Sequence, residues 1–560
     1  TLGAFGSPNT CTAPAVTLSG GTAIGTTGAL TTGLTVTSLL SGNGDGAVQT
    51  DEEIWVSYTC TLAANATPRT TDIDNTAVLQ NYSNVDVGNP QGLTPVNFAT
   101  NTALLTRKAK LTTQSTPTIT KAITASSLPG STPDNNINNG ETLTFLIAVT
   151  LTEGVYEGFT LGDNATAIPA ITCGSNGFIC TNVSVAGSQI TVPATTGSTP
   201  GTITYAYSQA KTASGTNTAT VSATNVPAKT AATSWTVDDP NPAVVKALSP
   251  AGSVNAGDTV QMRLGWSNAD ADNPMFRCVV TDVLDPNVFD LSAPVTAVTT
   301  PPGYTFAYSA GTVTYTAIDP ATVCPTVAAG GAVFSAKIRR DVVTGNYTNT
   351  ATIATFTLPT SGGAQVIATA TAPVPIGAPS INQKIVKTTS LADTSGQAVA
   401  IGELVTYQLD FQMAEGVTNG VQLIDQLINS TTAARLVYVT GSATLSRSSA
   451  DLSAANNPDG INGAAANTPI PVNPTVSGNT LSINLGNVTN GNATSGTAET
   501  YTLVLRFRVA NVTSNTAGSL LQNRSQVRYN DQNGVAQLVS GPGTNVRIVL
   551  PQVAINKTVT

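Results

Sequence analysis

The sequence contains no histidine and very few charged residues. Without histidine the chain cannot build a Ser-His-Asp or Cys-His catalytic group, a His-ligated zinc site, a haem site with a proximal histidine, or a charge switch near neutral pH. Asp, Glu, Lys and Arg make up only 10% of the residues, and aromatic residues only 5%. Any catalysis would have to rest on carboxylates alone. The composition therefore favours a structural protein over an enzyme.

Basic residues are outnumbered and apolar runs are short. The chain has 23 Lys and Arg against 31 Asp and Glu, for a net charge of −8, and no basic cluster that could neutralise a phosphate backbone. We therefore expect no nucleic-acid partner. No apolar run reaches the roughly 18–20 residues needed to span a bilayer, so no membrane span is expected in this segment. The first residues lack the pattern of a signal peptide, which indicates a mature or trimmed chain.

The cysteines form three couples that are close in sequence: Cys11 with Cys60, Cys173 with Cys180, and Cys278 with Cys324. The alternative is metal or redox chemistry, but no Cys-x-x-Cys spacing occurs. These couples are the pairing that keeps every bond inside one repeat, so we predict three intradomain disulfides. Because disulfides persist outside the cytosol, we expect an extracellular, secreted or periplasmic location.

What the sequence has in abundance is alternation of apolar and polar residues with a period of two. Such segments are rich in Thr, Val, Ile and Tyr and are separated by Gly, Pro, Asn and Asp, which is typical of antiparallel strands in sandwiches. No segment of helical length shows a clear 3.6-residue apolar period. The 560 residues suffice for roughly three to five domains of ordinary size. We predict an all-β protein of tandem antiparallel β-sandwiches in an elongated array.

A set of short blocks recurs along the chain. The opening blocks are ITKAIT (119–124), VVKALS (244–249), IVKTTS (385–390) and INKTVT (555–560). The first three are followed by a Gly-acid strand at GETLTFLIAV (140–149), GDTVQMRLGW (257–266) and GELVTYQLDF (402–411). A strand that ends in Asp and a late strand close each repeat, and the first domain shows only the closing strand. The predicted domains are a partial or divergent sandwich at 1–116, sandwiches at 117–240, 241–378 and 379–552, the last with an insertion, and an extra strand at 553–560.

These motifs in order resemble the tandem Ig-like repeat of bacterial and archaeal cell-surface proteins, a domain of unknown function. They are also similar to the isopeptide-forming domains of fimbrial shaft proteins. The resemblance covers about residues 117–560. It implies an extracellular Ig-like module strung into a stalk or fibre, and it implies no substrate.

One Lys, one Asp and one Asn of each repeat share the inward face of their strands. Lys121, for example, lies between Ile119 and Ile123, and side chains at i, i+2 and i+4 of a strand point the same way. The candidate sets are Lys121, Asp163 and Asn217; Lys246, Asp282 and Asn349; and Lys387, Asp425 and Asn523.

A buried unpaired charge costs several kcal/mol, so three interpretations of these sets are open. Burial can neutralise the amine and the acid, after which the lysine attacks the Asn carboxamide, ammonia leaves and an isopeptide bond remains. The three groups can instead form a satisfied hydrogen-bond network, or the lysine can reach solvent at a strand end. Which acid assists the lysine's attack is also open, because Glu141, Asp258 and Glu403 likewise stand at strand positions that alternation predicts to face inward.

The acidic segment 41–53 partly matches a calcium-binding loop. Asn43, Asp45 and Glu52 take the positions of oxygen ligands, but Ser41 stands where Asp is expected and a strand follows where the motif has a helix. An ordinary acidic hairpin loop is the alternative. No other cofactor is expected.

Two functions from different classes fit these observations. The leading one is a structural subunit of an extracellular fibre, sheath or surface layer, and the alternative is the stalk of a cell-surface adhesin. The expected partners are copies of the chain or adjoining domains of a longer chain. In either case residues 553–560 would supply the first strand of a following domain or a strand donated to the next copy.

Overall fold

The computed structural model describes residues 10–18, 23–30, 33–38, 53–61, 73–78, 106–111, 116–128, 135–152, 154–164, 171–174, 188–192, 201–224, 226–388, 396–428, 435–491, 499–550 and 555–558. Within these ranges the regular elements are β-strands, apart from one 3-10 helix at Pro458–Gly463. The prediction of an all-β fold built from antiparallel sheets is confirmed. None of the described helical residues forms a span long and apolar enough to cross a membrane. The chain divides into two compact units, Thr1–Asp238 and Asp239–Thr560.

The first part of the first unit contains four two-stranded ribbons. Its strands are β1 (Thr10–Cys11), β2 (Ala15–Leu18), β3 (Gly25–Ala29), β4 (Gly33–Ser38), β5 (Ile54–Ser57), β6 (Cys60–Thr61), β7 (Ile73–Val78) and β8 (Thr106–Leu111). They pair as β1–β6, β2–β5, β3–β4 and β7–β8. A small apolar cluster forms around Val16, Leu18 and Ile24.

The second part of this unit is a two-sheet sandwich, called here the second sandwich. Its strands are β9 (Thr118–Ser126), β10 (Asn136–Ile137), β11 (Thr142–Leu151), β12 (Gly154–Asp163), β13 (Thr172–Gly174), β14 (Ser188–Val192), β15 (Gly201–Ala210), β16 (Gly215–Ala223) and β17 (Val226–Val237). One sheet has the order β13-β15-β11-β9 and the other β10-β17-β16-β12-β14. Every second residue of β11 is buried, which is the predicted alternation.

The second unit begins with the third sandwich. Its strands are β18 (Pro242–Ser249), β19 (Thr259–Asn268), β20 (Phe276–Val283), β21 (Thr296–Thr299), β22 (Tyr304–Ser309), β23 (Thr312–Ala317), β24 (Val327–Lys337), β25 (Gly345–Phe356) and β26 (Gln365–Ile376). The sheets have the orders β18-β19-β24-β21 and β22-β23-β20-β25-β26. Trp266 and Phe334 lie in the core between them.

The fourth sandwich is larger. Its strands are β27 (Ser380–Thr388), β28 (Ala398–Val399), β29 (Leu404–Met413), β30 (Gly416–Leu427), β31 (Leu436–Tyr438), β32 (Thr444–Arg447), β33 (Leu452–Ala454), β34 (Ile470–Pro471), β35 (Thr475–Ser477), β36 (Thr480–Asn490), β37 (Glu499–Val509), β38 (Leu520–Asn530), β39 (Ala536–Ser540) and β40 (Thr544–Ile548). One sheet follows β27-β29-β37-β32-β34, with β31 also on β37. The other follows β28-β40-β38-β30-β36-β33, with β35 on β36 and β39 on β38. The core between the sheets contains Tyr407, Phe411 and Phe507.

A backbone bridge joins the third and fourth sandwiches. Val343 pairs with Val417, the Thr344 N–H donates to the Val417 carbonyl oxygen at 2.8 Å, and the Val417 N–H donates to the Val342 carbonyl oxygen at 2.9 Å. Gly416 has a φ of 103°, and a Cβ there would lie 2.6 Å from the Val342 carbonyl oxygen. The junction therefore needs glycine at this position.

The structure describes residues 555–558 of the predicted extra strand. Residues 555–558 belong to no strand, and Ile555 is 89% exposed. Pairing of 553–560 with another domain or another copy stays a prediction.

Candidate cross-linking site

The same register brings one position of the first strand to the same place in all three sandwiches. Lys121 lies opposite Ile147, Lys246 opposite Leu264, and Gln383 opposite Leu409. The partner is in each case the seventh residue after the glycine of the Gly-acid strand. Position 383, not position 387, is therefore the fourth-sandwich equivalent of Lys121.

The aspartate and asparagine also recur in one arrangement. Asp163 pairs with Ala219, Asp282 with Ala351, and Asp425 with Ser525. In each sandwich the asparagine precedes that partner by two residues, so it is a diagonal neighbour of the aspartate on the same face of the sheet. The first strand belongs to the opposite sheet, so its inward residue reaches across the core.

In the second sandwich the lysine and the aspartate form a buried ion pair. Lys121 Nζ lies 2.5 Å from Asp163 Oδ2, and both side chains are 0% exposed. The amine also lies 5.6 Å from the centroid of the Phe145 ring. Burial lowers the pKa of Lys121, while the hydrogen bond and the charge of Asp163 oppose this effect.

Two tyrosines contact the aspartate of this pair, and one of them also contacts the asparagine. The Tyr207 hydroxyl donates to Asp163 Oδ2 at 3.1 Å, and the Tyr205 hydroxyl lies 3.4 Å from the same oxygen. Asn217 Nδ2 in turn donates to the Tyr207 hydroxyl, while the buried Asn217 Oδ1 has no hydrogen-bond partner. Burial, followed by the charge of Asp163, raises the pKa of both tyrosines.

The third sandwich holds the barest form of the site. Lys246 Nζ donates to Asp282 Oδ2, and both side chains are 0% exposed. Asp282 Oδ1 and both polar side-chain atoms of Asn349 are buried without a hydrogen-bond partner. Burial raises the pKa of Asp282 and lowers the pKa of Lys246. The Asn349 carboxamide lies close enough to lower the pKa of Asp282 slightly, although it does not meet hydrogen-bond geometry.

The fourth sandwich carries glutamine where the other two carry lysine. Lys387 lies further along β27, opposite Thr406 and beyond a register shift, and its side chain is outside the described residues. The prediction from the opening blocks that Lys387 is the equivalent of Lys121 is wrong, because that shift changes the register of the residues beyond Ile385. The buried position belongs to Gln383, which is 5% exposed.

As a consequence Asp425 has no cationic partner among the side chains that the structure describes. Its carboxylate is fully buried, and neither oxygen has a hydrogen-bond partner. Burial raises the pKa of Asp425 to about 7, and the nearby Asn523 carboxamide offsets part of this shift without meeting hydrogen-bond geometry. Both polar side-chain atoms of Asn523 are likewise unpartnered.

The acids of the Gly-acid strands have a different role. Glu141 accepts from the Asn138 N–H, while Asp258 and Glu403 accept in the same way from the backbone three residues earlier, at 2.7–2.9 Å. They close the turn that leads into the second long strand. The acids that contact the inward lysines Lys121 and Lys246 are therefore Asp163 and Asp282.

Two of the three expected disulfides lie in the described residues. Cys11–Cys60 joins β1 and β6, and Cys278–Cys324 lies in the core of the third sandwich. The bond expected between Cys173 and Cys180 falls outside the described residues.

The candidate calcium ligands Asn43, Asp45 and Glu52 also lie outside the described residues. In the ranges that the structure describes, no group of three or more Asp, Glu or Cys residues is placed to hold a metal ion. Calcium at the loop 41–53 stays a prediction.

No protein-family model matches the chain, and no curated protein matches it. Among solved structures it is similar to the major pilin subunit BcpA of Bacillus cereus, with 11% identity over 55% of this chain and 69% of that one and a TM-score of 0.22. It is also similar to the full-length major pilin SpaD from Corynebacterium diphtheriae, with 12% identity over 55% and 67% and a TM-score of 0.22. The Enterococcus faecalis MSCRAMM ACE matches with 10% identity over 56% and 95% and a TM-score of 0.18. Scores this low carry no argument about fold or function.

Proposed function

We propose that the chain is a structural subunit of an extracellular fibre, sheath or surface layer, and that intramolecular Lys–Asn isopeptide bonds reinforce its second and third sandwiches. One observation carries the proposal. Two successive sandwiches bury a lysine–aspartate pair at the same register, each beside an asparagine on the adjoining strand.

The chemistry needs only groups that the chain supplies. Proton transfer from the lysine to the aspartate turns the buried ion pair into a neutral amine and a carboxylic acid, which burial favours. The amine attacks Cγ of the asparagine, a C–N bond forms, the former amide nitrogen takes up a proton, and ammonia leaves. No oxidant or cofactor takes part.

The unpartnered atoms of the third sandwich fit an unreacted precursor. A buried polar atom without a hydrogen bond costs roughly 1–3 kcal/mol, and Asp282 and Asn349 together leave three such atoms. Bond formation removes the lysine charge and lets the protonated Asp282 donate to the new amide. The product therefore leaves fewer buried polar atoms without a hydrogen bond than the precursor does.

The placement of the bond supports a mechanical role. Lys121 lies on the first strand of its sandwich and Asn217 on the next-to-last, in the opposite sheet. A pull along the chain would then pass through the covalent bond and bypass the hydrogen bonds of both sheets. The proposed partners are copies of this chain or adjoining domains of a longer chain, and the disulfides fit an oxidising location.

The test is the intact mass of the reduced protein, followed by mass spectrometry of its tryptic digest. We expect the loss of two ammonias and two branched peptides, one joining Lys121 to Asn217 and the other joining Lys246 to Asn349. Lys121→Ala and Lys246→Ala should each remove one of these losses. A folded wild-type protein with the full sequence mass would overturn the proposal.

Lys211 provides the matched control. It is the other buried lysine of the second sandwich, with Nζ 2.6 Å from Gln209 Oε1 and 4.4 Å from the Trp235 ring centroid. Lys211→Met should keep both ammonia losses. Loss of the second-sandwich branched peptide in this variant would mean that Lys211, and not Lys121, is the nucleophile.

A further inference from the structure

The second sandwich contains a continuous chain of hydrogen bonds between the two nitrogens that would exchange places in the cross-linking reaction. It runs from Lys121 Nζ to Asp163 Oδ2, then to the Tyr207 hydroxyl and on to Asn217 Nδ2. We propose that Tyr207 is a catalytic residue that relays the proton from the attacking amine to the departing ammonia. This inference rests on the proposed function.

The single oxygen Asp163 Oδ2 is what makes the relay possible. It accepts from the lysine at 2.5 Å and from the tyrosine at 3.1 Å, so one atom can take a proton from one donor and return it to the other. The tyrosine hydroxyl is also the atom that contacts the leaving nitrogen. Because the side chains of Lys121 and Asp163 are fully buried, bulk water does not offer an equivalent path.

The proton count balances. Proton transfer within the ion pair leaves a neutral Lys121 amine and a protonated Asp163, and Nζ then attacks Cγ of Asn217 to give an oxyanion and a new ammonium centre. The former amide nitrogen becomes a basic amine, Tyr207 passes its hydroxyl proton to it, Asp163 returns a proton to Tyr207, and the resulting Asp163 carboxylate takes a proton from the ammonium centre. The C–N bond to Nδ2 breaks, the oxyanion becomes the new carbonyl, ammonia leaves, Tyr207 has regained its proton, and Asp163 ends as the protonated acid.

The third sandwich lacks this device. Tyr207 pairs with Phe145, and the corresponding pair in the third sandwich is Phe334 with Met262, so a phenylalanine stands where the relay hydroxyl would be. The Asn349 amide nitrogen there has no hydrogen-bond partner. The two bonds of one chain would thus form by different proton paths, and the third sandwich can serve as an internal reference.

Tyr205 is the matched control for Tyr207. Its hydroxyl approaches the same Asp163 oxygen at 3.4 Å, but the hydrogen bond of the Asn217 amide nitrogen goes to Tyr207. Tyr205→Phe removes a phenol from the carboxylate without interrupting the chain. Tyr207→Phe removes the link itself.

The experiment follows bond formation after a short pulse of cell-free synthesis of the full chain. Samples are quenched in acid and denaturant, reduced and digested, and the two branched peptides are quantified against time. We expect Tyr207→Phe to slow the second-sandwich bond about a hundredfold, the lower range for general acid–base catalysis. The third-sandwich bond should keep its rate in both variants, and Tyr205→Phe should slow the second-sandwich bond far less than Tyr207→Phe does.

A second variant distinguishes an effect on proton transfer from an effect on side-chain packing. A fluorinated tyrosine at position 207 keeps the ring and the hydroxyl but makes the phenol more acidic, so a relay predicts a changed rate and a changed pH profile for the second-sandwich bond alone. An unchanged rate in Tyr207→Phe, or an unchanged profile with the fluorinated residue, would overturn the relay. If the wild type never forms the second-sandwich bond, the proposed function fails instead.

Discussion

The buried Asp425 makes the stability of the fourth sandwich depend on pH. Within the described part of the chain its carboxylate has neither a lysine nor a hydrogen-bond donor, and the Tyr407 hydroxyl in the same core is unpartnered as well. Burial raises the pKa of Asp425 from 3.8 to about 7. Asp425→Asn replaces this acid with a neutral side chain of nearly the same shape.

The size and sign of this pH effect on the free energy of unfolding follow from proton linkage. The folded state holds the proton more tightly than the unfolded state, so the free energy of unfolding falls as pH rises from about 4 through about 7. A shift of roughly three pKa units corresponds to about 4 kcal/mol, which should be fully lost near pH 8. The Asn variant does not titrate and should show no such loss.

Hydrogen–deuterium exchange of the full-length protein is the suitable measurement, because it reads each sandwich separately. Peptides from β29 and β30 should lose protection between pH 5 and pH 8, after correction for the intrinsic exchange rate. In Asp425→Asn the same peptides should keep their protection, while β19 and β20 should behave as in the wild type. An equal loss of protection in wild type and variant would refute the assignment of the titration to Asp425.

Three further predictions concern other positions. Gln383→Lys places an amine beside the unpartnered Asp425 and Asn523, so the intact mass of the folded variant should show one more lost ammonia than that of the wild type. If the variant loses only as many ammonias as the wild type, position 383 is not equivalent to Lys121. Gly416→Ala puts a Cβ against the Val342 carbonyl oxygen at a positive φ, and should cost roughly 1–3 kcal/mol. That cost should appear as faster amide exchange at the junction, with Gly441→Ala, which has open space around it, as a control for a surface turn. Arg447→Ala removes five hydrogen bonds to carbonyls of residues 450–464. Because each unpaired buried carbonyl costs roughly 1–3 kcal/mol, the variant should make that loop sensitive to limited proteolysis. A loop that stays resistant would contradict this.

Most of what could be predicted about the fold and the site follows from the alternation of side chains along the strands. Because side chains alternate strictly along a strand, inward parity alone identified Lys121, Asp163 and Asn217 as neighbours in the core, and the structure places Lys121 against Asp163. The same parity was compatible with Glu141. Only the three-dimensional turn shows that this acid binds the Asn138 N–H instead.

The fourth sandwich shows where the parity argument ends. The register between β27 and β29 shifts between Ile385 and Lys387, so counting by twos across that point does not preserve the face. A bulge has no reliable signal in a single sequence. The recurring opening block therefore predicts the lysine at position 387, although Ile381, Gln383 and Ile385 repeat the pattern of Ile119, Lys121 and Ile123.

Tyr207 was missed for a different reason. The segment TITYAYS shows that two tyrosines alternate with small residues and share one face. Alternation gives the face but not the distance along it, so it cannot say which hydroxyl reaches the asparagine. That choice depends on the pairing of β15 with β11, which is set by contacts far apart in sequence.

One substitution accounts for both peculiarities of the fourth sandwich. Gln383 uses its whole carboxamide to join the first strand to β38 and β40. Its Nε2 donates to the Asn523 carbonyl oxygen and to Thr544 Oγ1, while Oε1 accepts from the N–H and hydroxyl of Ser525. These bonds connect the sheets that the lysine bond would connect, but without a covalent link. A neutral amide also gives Asp425 no counter-ion, so the acid can avoid a buried charge only by keeping its proton. The absence of a nucleophile and the raised pKa of the acid therefore have the same cause, and Gln383→Lys should remove both together.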